Sequence, residues 1–192
     1  GTAFNGFINL AGGATGNVAV SFAATVAGLN TATGTIALKS TGIVGYNDTD
    51  LNSTTVVATG AAYDLANPTH AADLAFGNVR TNATTTLALT NTLRTGAVAA
   101  YQDDLAVVTS TGTGLLAATD PANLFAGETK NITLRATGPG LLDGRVNLAF
   151  SSAAQVAGVD VEGLTSESTS GSVDITGCTI ATAAAARASS SA

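Results

Sequence analysis

The sequence predicts an all-β fold: antiparallel β-sandwich units in tandem, the first of them incomplete at its N-terminal side. Three observations predict it: apolar side chains that alternate with period two, turn residues between the alternating stretches, and a long internal repeat. The alternation runs through Val18, Val20 and Phe22, then Ile36 and Leu38, Leu87 and Leu89, Ile132 and Leu134, and Val146, Leu148 and Phe150. Successive strand residues face opposite sides of a sheet, so each set marks one inward face. Further strands are expected at Asn78–Val79, Thr85–Asn91 and Leu105–Thr109. Gly12-Gly13, Asn67-Pro68, Asp120-Pro121, Gly138-Pro139-Gly140 and Asp143-Gly144 supply the turns.

The repeat emerges when the chain is laid on itself. Residues 10–20 align with 125–134, residues 34–38 with 144–148, and residues 56–60 with 173–177. Asn17 falls on Asn131, Gly34 on Gly144 and Gly60 on Gly177, offsets of 114, 110 and 117 residues. Three blocks in one order at nearly one offset give a period of about 115 residues. Residues 1–62 then read as the C-terminal part of a first sandwich and 63–178 as a complete second one. Residues 179–192 form a tail, a donated strand, or the start of a further repeat. The first copy has no counterpart of roughly residues 63–116, which leaves an unpaired edge and an uncovered apolar face. Either upstream sequence or the strand of another chain is expected to complete it.

Composition limits what such a protein can do. Of the 192 residues, 45% are hydrophobic but only 10% charged, and Trp and Met are absent. Ala, Thr, Gly, Leu, Val and Ser dominate; the small and β-branched ones suit pleated strands and give a hydroxyl-rich, weakly charged surface. A surface with few lysines protects poorly against edge-to-edge association, and self-association or docking to neighbouring subunits is the expected partnership. The net charge is −6, and the seven basic residues stand singly, so nucleic acid is excluded as a partner. No apolar run approaches the ~20 residues of a membrane-spanning helix. With Gly1 in the first position and no basic-then-apolar leader, the sequence reads as a processed product or a piece of something longer. Cys178 is the only cysteine, which excludes an intrachain disulfide and a cysteine-rich metal site. It is expected just after a strand as a small, half-buried apolar residue, with an intermolecular disulfide as the alternative.

Short motifs add a resemblance. Leu74-Ala75-Phe76-Gly77-Asn78-Val79, followed by the Thr-rich run that ends in Thr90-Asn91-Thr92, resembles the bacterial choice-of-anchor D repeats, a group of immunoglobulin-like domains. Leu124-Phe125-Ala126-Gly127-Glu128, the strand 144–150, the closing Val173-Asp174-Ile175-Thr176-Gly177 and the junction 61–68 match the same pattern. The resemblance covers most of residues 10–180 and implies immunoglobulin-like sandwiches in a secreted or surface-anchored bacterial protein. The sorting signal usual at the C-terminus of such proteins does not occur in this sequence.

Residues with chemistry are few. His70, the only histidine, follows a proline and is expected to be an exposed junction residue, with no Gly-x-Ser-x-Gly nucleophile for it to serve. Asp103 and Asp104 are adjacent, so on a strand they face opposite sides and form no converging acid pair. No catalytic residue and no cofactor site are therefore assigned. Asp48, Asp50 and Asn52 are the candidate metal ligands, because alternating oxygens in a loop suit calcium. Ser53 replaces the glycine of an EF-hand there, and a solvated turn is the competing reading. The acidic loop around Asp160 and Glu162 occupies the matching place in the second copy. Asn47, Asn52, Asn82 and Asn131 open N-glycosylation sequons, and Lys39 and Lys130 are candidates for isopeptide links.

The expected function is a non-enzymatic structural repeat of an extracellular fibre, matrix or bacterial surface layer, assembling by sandwich packing. The alternatives are cell adhesion through a glycan- or protein-binding module, with Tyr46 as its aromatic, or an accessory subunit of a larger assembly.

Overall fold

The computed structural model describes residues 2–3, 8–18, 21–42, 44–112, 114–117, 120–141 and 145–180. Strands dominate, and a single 3₁₀ turn, Ala99–Tyr101, is the only helical element among the described residues. The fold is an all-β sandwich, divided into two compact units at Tyr63/Asp64.

The first unit is a ribbon. Strands β1 (Thr2–Ala3) and β2 (Ser21–Phe22) form a two-residue pair. Strands β3 (Gly28–Ser40) and β4 (Thr49–Ala62) form a long antiparallel hairpin. On one face of it Gly28, Asn30, Ala32, Gly34 and Ile36 alternate as the more covered residues, with Val56, Ala58, Gly60 and Ala62 across the ladder. A register shift between Ile36 and Leu38 breaks that alternation, so the two do not continue one buried row. Among the described residues, none of the buried hydrophobic ones belongs to this unit; Leu29 is 70% exposed, Val57 59% and Leu51 52%. Residues 8–18, expected to lead into a strand, run without regular structure, and Val18 is exposed. Among the described residues no strand pairs with them, and β propensity alone does not hold one. Val20 lies outside the described residues.

The second unit is a sandwich with one core. Its strands, in order, are β5 (Pro68–His70), β6 (Asp73–Arg80), β7 (Thr84–Asn91), β8 (Leu105–Thr111), β9 (Leu115–Ala117), β10 (Thr129–Ala136), β11 (Gly140–Leu141), β12 (Arg145–Ser152), β13 (Gln155–Val156), β14 (Val159–Asp160) and β15 (Glu167–Ile180). One sheet has the order β5-β7-β10-β9, all antiparallel. In the other, β15 pairs antiparallel with β12, β12 with β8, and β6 runs parallel to β15. β11 pairs with β15 in the register that β12 continues, Gly140 opposite Thr179 and Arg145 opposite Asp174. The entry segment thus serves both sheets, β5 in one and β6 in the other. Strands β5-β7-β10-β9 form one layer and β6-β15-β12-β8 the other.

Period-two alternation places the core. Leu87, Leu89, Ile132 and Leu134 from one sheet meet Leu105, Val107, Val146, Leu148, Phe150, Val173 and Ile175 from the other in a single buried cluster. Each such side chain contributes about 1.5–3 kcal/mol by leaving water. Two glycines permit close approach, Gly177 between neighbouring strands and Gly171 between the sheets. A Cβ at Gly177 would stand 2.7 Å from the Gly77 carbonyl oxygen, and one at Gly171 2.8 Å from the His70 ring. Gly77 itself has φ +65° and sits where β6 and β15 change register.

Three local expectations are corrected. His70 is not an exposed linker residue: it lies in β5, half-buried, its ring 5.8 Å from that of Phe150. Cys178 lies within β15, not after it, because Thr179 and Ile180 still pair with Val79 and Arg80. The boundary drawn at residue 178/179 therefore falls inside a strand.

Candidate functional site

A buried polar cluster closes one end of the second unit, and sequence reasoning missed it. Asn91, the last residue of β7, is fully buried and at its centre. Its Nδ2 donates to the carbonyls of Asp103 (2.9 Å) and Leu124 (3.2 Å). Its Oδ1 accepts from the Asn67 backbone N–H (2.9 Å) and from Gln102 Nε2 (3.1 Å). Gln102, equally buried, also donates to the Thr92 carbonyl and accepts from the Arg94 N–H. Four separate stretches of chain are held at one point.

Asp103 and Asp104 extend the cluster to a second loop. They precede β8, in irregular backbone, so the strand rule that would send them to opposite faces does not apply. Both turn toward residues 154–158. Asp103 accepts from the N–H groups of Ala154 (3.1 Å) and Gln155 (2.7 Å), and Asp104 from those of Ala157 (3.0 Å) and Gly158 (2.6 Å). Ala154 and Ala157 have φ of +58° and +50°, a conformation that costs an L-residue about 1 kcal/mol or more. The two carboxylates offset that strain and hold the β13–β14 hairpin in place.

Burial pushes the Asp104 carboxyl up, against the downward pull of the Gly158 and Ala157 N–H groups, and the charges of Asp103 and Glu128 add to the rise. The folded state thus binds this proton more tightly than the unfolded one. Its contribution to stability is full in acid and is lost as pH rises from the ordinary 3.8 through the raised value. Glu128 behaves oppositely. Its Oε2 accepts the Phe125 N–H (2.9 Å) and pairs with Lys130 Nζ (3.2 Å), which holds its carboxyl below the usual 4.5. That stability is present above 4.5 and is lost as pH falls through the lowered value. Glu128→Gln is therefore expected to shrink the drop in urea midpoint that the wild type shows on acidification below pH 4.5. An unchanged drop would remove Glu128 from the account.

The arrangement positions loops and leaves little for proton transfer, since the carboxylate oxygens of Asp103 and Asp104 are committed to backbone donors. A hollow of about 440 Å³ on the outer face of β8, β12 and β15 is lined by Val108, Ser110, Arg145, Asn147, Ser170 and Ser172. Its one cation, Arg145, is paired with Asp174 at 3.2 Å.

The metal candidates lie elsewhere, at the β3–β4 turn. Asp48 Oδ2 pairs with Lys39 Nζ at 3.1 Å and its Oδ1 accepts the Gly42 N–H, so both oxygens are engaged. Lys39 holds the Asp48 carboxyl below its ordinary value and is itself raised by Asp48. Asp50 and Asn52 lie in β4, and among the described residues no cluster of three or more His, Cys, Asp or Glu side chains could hold a metal. Asp160 accepts from Gln155 Nε2. Tyr46 stands at the hairpin tip, 75% exposed. The sequon asparagines Asn47, Asn52, Asn82 and Asn131 are all exposed. Lys130 reaches the Asn123 carbonyl (2.6 Å) and lies over the Phe125 ring.

Set beside protein-family models and curated proteins, the chain matches none. Among the described residues no helix is long and apolar enough to cross a membrane.

Proposed function

We propose that this chain is a non-enzymatic structural repeat of an extracellular or bacterial-surface fibre, matrix or layer, built of tandem immunoglobulin-like sandwiches. One observation carries the reading: the second unit buries its core, whereas the 13- and 14-residue strands of the first leave theirs uncovered. Two strands alone are at best marginally stable in water. The alignment supports treating β3–β4 as the counterpart of β12–β15. Both are antiparallel pairs, with Ile36 matched to Val146 and Val56 to Val173. Ile36 faces Thr54, while Val146 faces Val173 rather than Gly171, the residue matched to Thr54. That slip of two residues keeps every side chain on its face. Strands from preceding sequence or from a neighbouring chain complete the first unit, and the low-charge units then pack end to end. The motif resemblance to choice-of-anchor D repeats supports secretion.

Electron microscopy and sedimentation of the full chain test the reading. Filaments, lattices or concentration-dependent oligomers are expected. A monomer that resists protease throughout residues 1–63 at high concentration would overturn assembly. Tyr46, exposed at the hairpin tip, supports a second reading as an adhesion module. That reading stands on saturable binding to a glycan array that Tyr46→Ala abolishes.

A further inference from the structure

The β13–β14 hairpin is built under strain. Its turn is two residues long, with Val156 opposite Val159, and both central residues, Ala157 and Gly158, have positive φ (+50° and +79°), as a type I′ turn requires. Ala154, at the entry, adds a third at +58°. Asp104 reaches into this turn and accepts the N–H groups of both central residues, while Asp103 accepts those of Ala154 and Gln155 at its base. Both aspartates are buried, and no cation among the described residues pairs with either. Two neighbouring carboxyls taken out of water without a counter-ion do not both ionise without cost.

We infer that Asp104 is a proton-operated catch on this hairpin: closure takes up a proton, and a rise in pH loosens the turn and bares the Phe125 ring beside it. The charged groups around Asp104 are Asp103 on its own segment, Glu128 with its partner Lys130 on the stretch into β10, and Asp160 on β14, engaged by Gln155. Burial and the charges of Asp103 and Glu128 outweigh the pull of the two turn N–H groups, which raises the carboxyl above its ordinary 3.8. When the turn swings out, Asp104 is hydrated and regains the proton affinity of an ordinary aspartate. The closed state therefore holds the proton more tightly than the open one. Closure is firmest below pH 3.8, weakens from there to the raised value, and is level above it. The Ala153 N–H bonds to the Asp104 carbonyl at 2.9 Å and holds the base, which confines the movement to the tip. Gly158 lies at that tip, where a Cβ would stand 3.6 Å from the Phe125 ring, so its departure uncovers a residue already 44% exposed.

Amide hydrogen exchange of the full chain over a series of pH values tests the catch. After correction for intrinsic rates, protection at Ala157 and Gly158 is expected to fall by up to about tenfold per pH unit across that interval, the limit for one proton. Amides in the middle of β12 should not fall with it. Asp104→Asn keeps one acceptor oxygen and cannot ionise, so its protection should be lower in acid but flat. Glu128→Gln leaves the catch in place and removes one charge that raises it, so the fall should end at a lower pH. Hydroxyl-radical labelling of Phe125, measured against the exposed Tyr46, should rise over the same interval. Wild-type protection that does not change with pH, a fall that persists in Asp104→Asn, or a fall of equal size in β12 overturns the catch. Labelling of Phe125 that stays level while the turn loosens overturns the uncovering of its ring.

Discussion

Leu148→Ala is expected to lower the unfolding free energy of the second unit by about 2–5 kcal/mol, while Leu38→Ala costs under about 0.5 kcal/mol. The two leucines occupy matched places in the repeat alignment, so the contrast isolates environment from residue type. Leu148 is 1% exposed, with Val146 and Phe150 on the same face and Val173 on β15 completing the buried cluster. Truncating it removes transfer free energy and leaves a cavity that a two-sheet core collapses into only partly. Leu38 is 44% exposed and lies beyond the register shift in β3. Urea denaturation of the full chain followed by far-ultraviolet circular dichroism measures both. Equal losses would mean that the first unit has a core of its own, and the reading of β3–β4 as an uncovered hairpin would fall.

Asn91→Ala carries the second large effect, a loss of about 3–5 kcal/mol. Four hydrogen bonds converge on this amide, and alanine leaves the Asp103 and Leu124 carbonyls, the Asn67 N–H and the Gln102 amide each short of a partner. Each buried group left unsatisfied costs about 1–3 kcal/mol before water re-enters. Asn91→Asp should cost no less, because it turns two donors into an acceptor and sets a charge beside Asp103. Hydrogen exchange adds a local readout. Protection at Ala154, Gln155, Ala157 and Gly158 should fall with stability, since Asp103 and Asp104 are held by the same cluster. Full protection there after Asn91→Ala would show that the carboxylates position their loop unaided.

The core of the second unit was legible because its strands are half-buried. Leu87 and Leu89, Ile132 and Leu134, and Val146, Leu148 and Phe150 announce their faces by alternation, and all are buried. The same signal misled at Val18, where alternation was present but, among the described residues, no strand pairs with it. The polar cluster was illegible for a different reason. Asp103 and Asp104 were judged by strand geometry, yet they lie before β8 begins, where neighbouring side chains can share a direction. The clue was Asn91 itself, a polar residue closing a row of inward leucines, since a buried amide must collect partners. His70 was taken for a linker residue because it follows a proline, but proline is tolerated at the first position of an edge strand, which is where Pro68 sits.

The parallel contact between β6 and β15 has a mechanical consequence. These strands stand near the entry to and exit from the second unit, and their register runs from Asp73 opposite Asp174 to Arg80 opposite Ile180. A pull applied at the two ends of the unit drives parallel neighbours in opposite directions along their common axis. The whole row of bonds is then loaded in shear, and none can be unzipped ahead of the rest. Antiparallel terminal strands would peel apart one rung at a time under the same tension.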